Sequence, residues 1–455
     1  MGKERENFGS RLGVILALAG SAIGLGNLWR FPYVVGQNGG AAFIVIYMLA
    51  MAFISMPVFI AEVIIGRRSR RNAFQAMGIL SDGKKFWSSA GFLAVLIPTL
   101  IVSYYSVIGG WSSAFLLRAC TKPFALMDPD AASSLFGELS TGSWAPIVMH
   151  LLFLGISCAI VAGGVKSGIE KFSKFAIPTL FVMIVVVALY SITLPGAKEG
   201  VEYLLNPDFS RLTARSFAYA LGQSFFSLSL GMGIVITYGS YVSRKESILF
   251  SSSWTAVFDL MFAILAGLAI MPAVFAADIE PAAGPGLIFQ SIPFIFAKMG
   301  ASIPVLSVVM SIVFFLAVVI AAMTSCISLV EVGVAWLIER YQMKRSTAAT
   351  VLFLVTGSFG SLCSLSFGAL SGIKVFGDNI FGATDNICSN ILLMVMAFLS
   401  VIFVGFVMKK ADVKDEFTNS GSLGASGKIF GVFYFLIKWV APIAVILIFF
   451  TNFIL

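Results

Sequence analysis

Charge is what this chain has least of. Asp, Glu, Lys and Arg together make up 11% of its 455 residues, against about a quarter in ordinary soluble proteins. Histidine occurs once, at position 150, and five cysteines are scattered without a CxxC spacing. A single histidine leaves no HExxH pair for zinc, no GxSxG nucleophile elbow is present, and no catalytic dyad sits on adjacent apolar segments. An enzyme reading therefore has nothing to rest on, and neither a metal cluster nor a disulfide framework is indicated. Four of the cysteines, Cys158, Cys326, Cys363 and Cys388, fall in apolar runs and read as packing residues.

What is present is hydrophobic length. At 59% hydrophobic residues and a mean hydropathy of +0.97, the chain reads as an all-α polytopic membrane protein with no separate soluble domain. Eleven spans are expected, at 11–35, 41–66, 88–118, 146–163, 170–194, 215–241, 248–276, 303–339, 347–370, 376–408 and 429–454. Each is near the ~20 residues a bilayer requires. The charged amino terminus carries no small-residue cleavage site, and Glu6 rules out a myristoylation signal after Met1-Gly2.

The bases orient the chain. With the N-terminus inside, 21 of the 30 Lys and Arg fall on the inner side, 7 on the outer, and Arg30 and Lys438 within spans. The positive-inside rule then predicts a cytoplasmic N-terminus and, with an odd number of spans, an outward C-terminus. This bias accounts for the net charge of +8 without a nucleic-acid partner.

One stretch stands out, Gly20-Ser-Ala-Ile-Gly-Leu-Gly-Asn-Leu-Trp-Arg-Phe-Pro32 in the first span. Its glycines and serine are poor helix formers, and an open backbone inside a bilayer is tolerated only where it is buried or lines a cavity. Read alone, Gly20-x-x-x-Gly24 is as readily a helix-packing seam. A second interrupted run, Ser227-Leu-Ser-Leu-Gly-Met-Gly233, opens the second half of the chain. Paired interruptions at corresponding places point to a transporter site near the midplane. The chain then divides into a first repeat (1–194), a second (211–408), a flexible Gly/Ser-rich linker (409–428) on the cytoplasmic side and an extra helix (429–455). The outward segment 277–302 reads either as a surface loop or as an apolar element dipping into a vestibule. Gly168 and Pro178 in the fifth span suggest either local unwinding or a static kink.

These residues resemble the neurotransmitter:sodium symporters, in their bacterial amino-acid transporter branch. The likeness rests on Arg11-Leu-Gly, Gly20 to Asn27, Arg30-Phe-Pro, Gln37-Asn-Gly-Gly, Glu62 with Gly66-Arg67, Tyr104-Tyr105, Ser227 to Met232 and Ala321-Ala-Met-Thr-Ser325. It runs through nearly the whole chain. The resemblance implies a five-plus-five inverted repeat with broken first and sixth helices, and sodium-coupled symport by alternating access. Its substrates would be free, neutral, hydrophobic L-amino acids, aliphatic to aromatic. It also implies two sodium sites, no organic cofactor and a bacterial cytoplasmic membrane. A homo-oligomer is neither required nor opposed.

Carried over residue by residue, the first sodium would meet the Ala22 carbonyl, Asn27, Ser227 and Asp259. The second would meet the carbonyls of Gly20, Ile23 and Ala321 with Thr324 and Ser325. The substrate pocket would comprise Ala22, Leu25, Gly26, Ile101, Tyr105, Phe226, Ser227, Ser229, Met232, Ser325 and Leu329. No acid stands at position 21 or 22 to await an amine substrate, which favours α-amino acids. Tyr47, Gln223 and Ser227 resemble an anion-site shell. The Asp259 carboxylate beside them would replace chloride, so chloride-independent transport is expected, with Asp259 a candidate to protonate on the empty return. Arg30 and Asp385 would pair as the outer gate, with Arg5, Tyr241, Glu331 and Glu339 as the inner network. An amino-acid-gated channel and an amino-acid-sensing receptor are the competing classes.

Overall fold

The computed structural model describes residues 6–279, 286–422 and 426–454. Arg5 and positions 280–285 of the segment 277–302, both used above, lie outside these residues.

The first span is two helices, α1 (Arg11–Ala22) and α2 (Gly26–Gln37), bent by 54° at the glycine run. Ser10 caps α1 by accepting from the Gly13 amide, and Ile23 leaves the helix with an extended ψ of 104°. There follow α3 (Ala41–Ser69) and α4 (Ala73–Leu80), then α5 (Lys85–Thr121) and α6 (Pro129–Thr141). Next come α7 (Ala145–Ala162), α8 (Val165–Ile192) and the short α9 (Ala197–Leu205). The sixth span is again two pieces, α10 (Ala214–Ser227) and α11 (Ile234–Gly239). The second half continues with α12 (Ile248–Ala277), α13 (Leu287–Gly300), α14 (Pro304–Tyr341) and α15 (Arg345–Leu365). It closes with α16 (Ile380–Val407), α17 (Lys410–Phe417) and α18 (Lys428–Phe450).

Among the described residues nine helices are long and apolar enough to cross a bilayer, and the bent pair α1–α2 makes a tenth. The expected sixth span does not meet that standard as a continuous helix, because Leu228–Gly233 is not helical. Its backbone turns at Ser229 (φ 54°), Gly231 (φ 74°) and Gly233 (φ 68°). The latter two need glycine twice over, for the left-handed backbone and for space. A Cβ on Gly231 would run into the Leu393 carbonyl, and one on Gly233 into that of Ala94.

α1 lies against α8, α12 and α14, and the longest helices, α5 and α14, pack along one another. The two interrupted spans thus meet inside a ring of continuous ones. His150 is a buried core residue whose Nε2 lies 3.2 Å from the Gly357 carbonyl, and among the described residues no metal-holding cluster occurs.

Two loop readings are resolved. The apolar part of 277–302 is the buried helix α13, not a surface loop. Phe289 is fully buried, stacking on Phe136 of α6 at 5.3 Å and meeting the edge of Trp111 at 6.1 Å. The flexible-linker expectation for 409–428 is corrected over its first half. Residues Lys410–Phe417 form α17, and the buried carboxylate of Glu416 takes Nε of buried Arg67 at 2.7 Å. Arg68 holds Asp412 and Asp415 at 2.7 and 2.8 Å. A Gly/Ser-rich tail made the segment look free, but its acids have partners more than 340 positions away.

Candidate transport site

Where a helix stops, its last carbonyls and the first amides of the next helix lose their intrahelical partners. Two such stops face each other here. The Ser229 hydroxyl donates to the Ser21 carbonyl at 2.7 Å, tying the second break directly to the first. Thr324 Oγ1 of α14 lies 3.2 Å from the Ile23 carbonyl and 2.9 Å from that of Ala321. Glu62 of α3 accepts from the freed Gly231 amide at 3.0 Å and from Ser400 Oγ of α16 at 3.1 Å. Gly24 is enclosed tightly enough that a Cβ would strike Ser325 Oγ.

Beside the first break lies a buried polar cluster. Asp259 on α12 accepts from Asn27 Nδ2 at 2.8 Å and from Ser227 Oγ at 2.7 and 2.9 Å, with Tyr47 Oη at 3.4 Å. The Asn27 Oδ1 oxygen is buried without a hydrogen-bond partner, as is Gln223 Oε1. A carboxylate, an amide oxygen and a hydroxyl gathered out of water are hard oxygen ligands, and a buried acceptor without a donor is costly unless a cation or donor meets it. Asn27, Ser227 and Asp259, expected at the first sodium site beside Ala22, are therefore together. The second set also converges, with Thr324 bridging Ile23 to Ala321, Gly20 packed on Thr324, and Ser325 beside Gly24.

A cavity of 340 Å³ opens between the two breaks, and all eleven residues expected of the substrate pocket line it. Its polar lining includes the helix-start backbone at Leu25 and Gly26 and the buried, unpartnered Tyr105 hydroxyl. Its apolar lining comprises Ile101, Met232 and Leu329, joined by Ile108 and Phe381. Sequence reasoning missed the last two, and also a polar stripe of Asn386, Ser389 and Asn390 on α16. The stripe was findable, since polar residues three and four apart on an apolar span share a face.

The cavity reaches solvent past the exposed Asn386, on the side away from the basic loops. Here the expected Arg30–Asp385 ion pair is corrected. Both residues line the cavity, but among the described residues they form no ion pair. The Arg30 guanidinium lies 4.8 Å from the Phe226 ring centroid, and Asp385 accepts from Ser389 Oγ at 2.8 Å. The mouth is parted, so each charge settles on a local partner.

The opposite end is shut. Tyr241 Oη donates to the buried Glu331 carboxylate at 2.5 Å, and Arg345 grips the same carboxylate at 2.8–3.1 Å. The Phe8 amide donates to the Tyr241 carbonyl at 3.2 Å and its ring sits edge-on to Tyr238 and Tyr241. Glu339 accepts from Asn72 Nδ2 at 2.8 Å. Arg5 is outside the described residues. Arg345 was not foreseen, because nothing in a Lys-Arg pair at the start of the ninth span distinguishes a gate from an ordinary inner loop.

A family model described as the sodium:neurotransmitter symporter family matches residues 5–134 and 132–455. The chain belongs to this family. An uncharacterized sodium-dependent transporter of Haemophilus influenzae is 35% identical, covering 99% of this chain and 98% of its own. A second, YhdH of Bacillus subtilis, is 34% identical over 97% and 96%. Among solved structures, MhsT in complex with L-phenylalanine superposes with a TM-score of 0.88 at 38% identity, covering 98% of this chain and all of that one. This symporter-family chain is accordingly a sodium-dependent, multi-pass membrane transporter and not an enzyme.

Proposed function

We propose that this transporter couples two sodium ions to the uptake of neutral, hydrophobic L-amino acids, from aliphatic to aromatic, by alternating access and without chloride. The observation that carries the reading is the cavity at the meeting of the broken spans, whose lining combines freed helix-end backbone and the Tyr105 hydroxyl with apolar side chains. The carboxylate of an amino acid fits against the free amides and positive dipole end of α2 and the Tyr105 hydroxyl. Its ammonium fits the freed carbonyls of the unwound segments, and its side chain the wall of Ile101, Ile108, Met232 and Leu329. Met232 is flexible enough to follow side chains of different shape. MhsT, with its bound L-phenylalanine, supports the size class.

In this reading the substrate carboxylate and the Asn27–Ser227–Asp259 cluster share the first sodium, so each ligand raises the affinity for the other. Thr324, Ser325 and the carbonyls of Gly20, Ile23 and Ala321 hold the second ion. The buried Asp259 carboxylate lies where Tyr47, Ser227 and Gln223 would otherwise surround an anion, and it supplies the fixed negative charge itself. The parted Arg30 and Asp385 and the closed Tyr241–Glu331–Arg345 network correspond to a state open on one side. With the basic face cytoplasmic, in a bacterial inner membrane, that side is outward. Each charge crossing 100 mV contributes about 2.3 kcal/mol, so two sodium ions support roughly 10³-fold accumulation from the potential alone.

The test is uptake by proteoliposomes offered labelled leucine, phenylalanine, tryptophan, glycine, proline, lysine and glutamate, with sodium and chloride varied separately. Sodium-dependent uptake of the first three, unchanged in chloride-free buffer, is expected. Preference for glycine, proline or a charged amino acid would overturn the substrate class. A tenfold fall without chloride would overturn the ionic requirement.

A further inference from the structure

Lys438 is a cation in the interior of an apolar span, remote from the transport site. It stands near the middle of α18, half-buried, with its ammonium 5.0 Å from the Phe406 ring centroid, 5.6 Å from that of Trp439 and 5.9 Å from that of Tyr434. Phe406 and Trp439 are about half exposed, as are Phe435 and Val432 along the same helix, so this flank of the bundle faces acyl chains. An ammonium at membrane depth is costly, and aromatic faces offset only part of that cost.

The groove is built around the cation. At Gly405 on α16 even a Cβ would lie 3.2 Å from Lys438 Cα, so α18 approaches this closely only over glycine. Tyr434 Oη donates to the Gly405 carbonyl at 3.1 Å, which fixes the ring, and a second ammonium, that of Lys410, lies 5.0 Å from the same ring's centroid.

No carboxylate among the described residues answers these two lysines. Among the described residues neither forms an ion pair, and the acids nearest in the chain are engaged elsewhere, Asp412 and Asp415 by Arg68 and Glu416 by Arg67. Lys409, Lys414 and Lys428 add exposed positive charge on the same basic face. Long lysines turn their heads toward the interface, and basic grooves between spans on that side suit phosphate-bearing head groups.

We propose that Lys438 and Lys410, both held at Tyr434, bind the phosphodiester of one anionic phospholipid seated in the groove between α16 and α18. Its acyl chains cover Phe406, Phe435 and Trp439. The lipid completes the charge balance that α17 cannot provide, and it clamps α18 to the rest of the bundle.

The test is thermal unfolding of the detergent-purified full chain with phosphatidylglycerol, phosphatidylcholine or inorganic phosphate added, alongside native mass spectrometry. Phosphatidylglycerol is expected to raise Tm by about 3 °C or more and to be retained at one molecule per chain. Phosphatidylcholine and inorganic phosphate should do neither. Lys410→Gln, at an exposed position, should lose at least half of the rise, and Lys410→Gln with Lys438→Gln nearly all of it. The remote pair Lys84→Gln and Lys85→Gln should keep it. An equal rise in the lysine variants, its loss in the remote pair as well, or the same rise with inorganic phosphate would each overturn the proposal.

Discussion

Asp259 carries the most consequence of any single residue. Three side chains converge on its carboxylate, and Asn27 presents an unmatched oxygen alongside. Asp259→Asn keeps the shape and removes the charge. Sodium half-saturation for uptake should rise tenfold or more, and transport should become stimulated by chloride; flux assays in chloride and gluconate read both. Ser229 makes a smaller but more local contribution. Ser229→Ala deletes the 2.7 Å bond to the Ser21 carbonyl, worth about 1 kcal/mol net. Substrate Kd should rise about fivefold in equilibrium binding, with the elution profile unchanged. Asn27 and Ser227 stand in local motifs and Asp259 came from the family resemblance, and the structure brings the three side chains together. The stripe on α16 was findable as a spacing but not as cavity lining, and the orphaned Asn27 oxygen was not legible at all, since both depend on which faces the bundle turns inward.

At the level of the element, the breaks are the design. The sixth span turns through Gly231 in a left-handed conformation against the Leu393 carbonyl. Gly231→Ala adds about 1–2 kcal/mol of backbone strain before any displacement of α16. It should lower Tm by several degrees and abolish uptake, a result checked by differential scanning fluorimetry and flux together. α17 teaches the opposite lesson. Its composition reads as linker, yet Arg67 and Glu416 are both buried and paired at 2.7 Å. Removing one partner strands a buried charge, so Glu416→Ala should cost about 3–5 kcal/mol. Replacing both by apolar residues should restore most of the lost stability, which a double-mutant cycle of Tm values measures.

For the whole molecule, one end is open and the other locked. The lock is the Glu331 carboxylate between Tyr241 and Arg345. Arg345→Ala removes the guanidinium from the buried Glu331 carboxylate, which biases the ensemble toward opening on the basic face. Spin-label distances between α1 and α14 on that face should lengthen in the variant without ligand. Sodium and substrate together should draw the Arg30 and Asp385 sides closer in the unmodified protein. Unchanged distances in both cases would remove the gating role.

Composition and local pattern alone determined the membrane class, the positions of the apolar runs and the two interruptions. Hydropathy and the poor helix propensity of glycine and serine act over a few residues. What only the tertiary structure decided lies in pairs that the chain separates widely, Ser229 with Ser21, Arg67 with Glu416 and Lys438 with Lys410 across Tyr434. Such contacts are set by which faces pack together. The parting of Arg30 from Asp385 belongs to the conformation adopted, because both charges are encoded but their separation changes when the bundle moves.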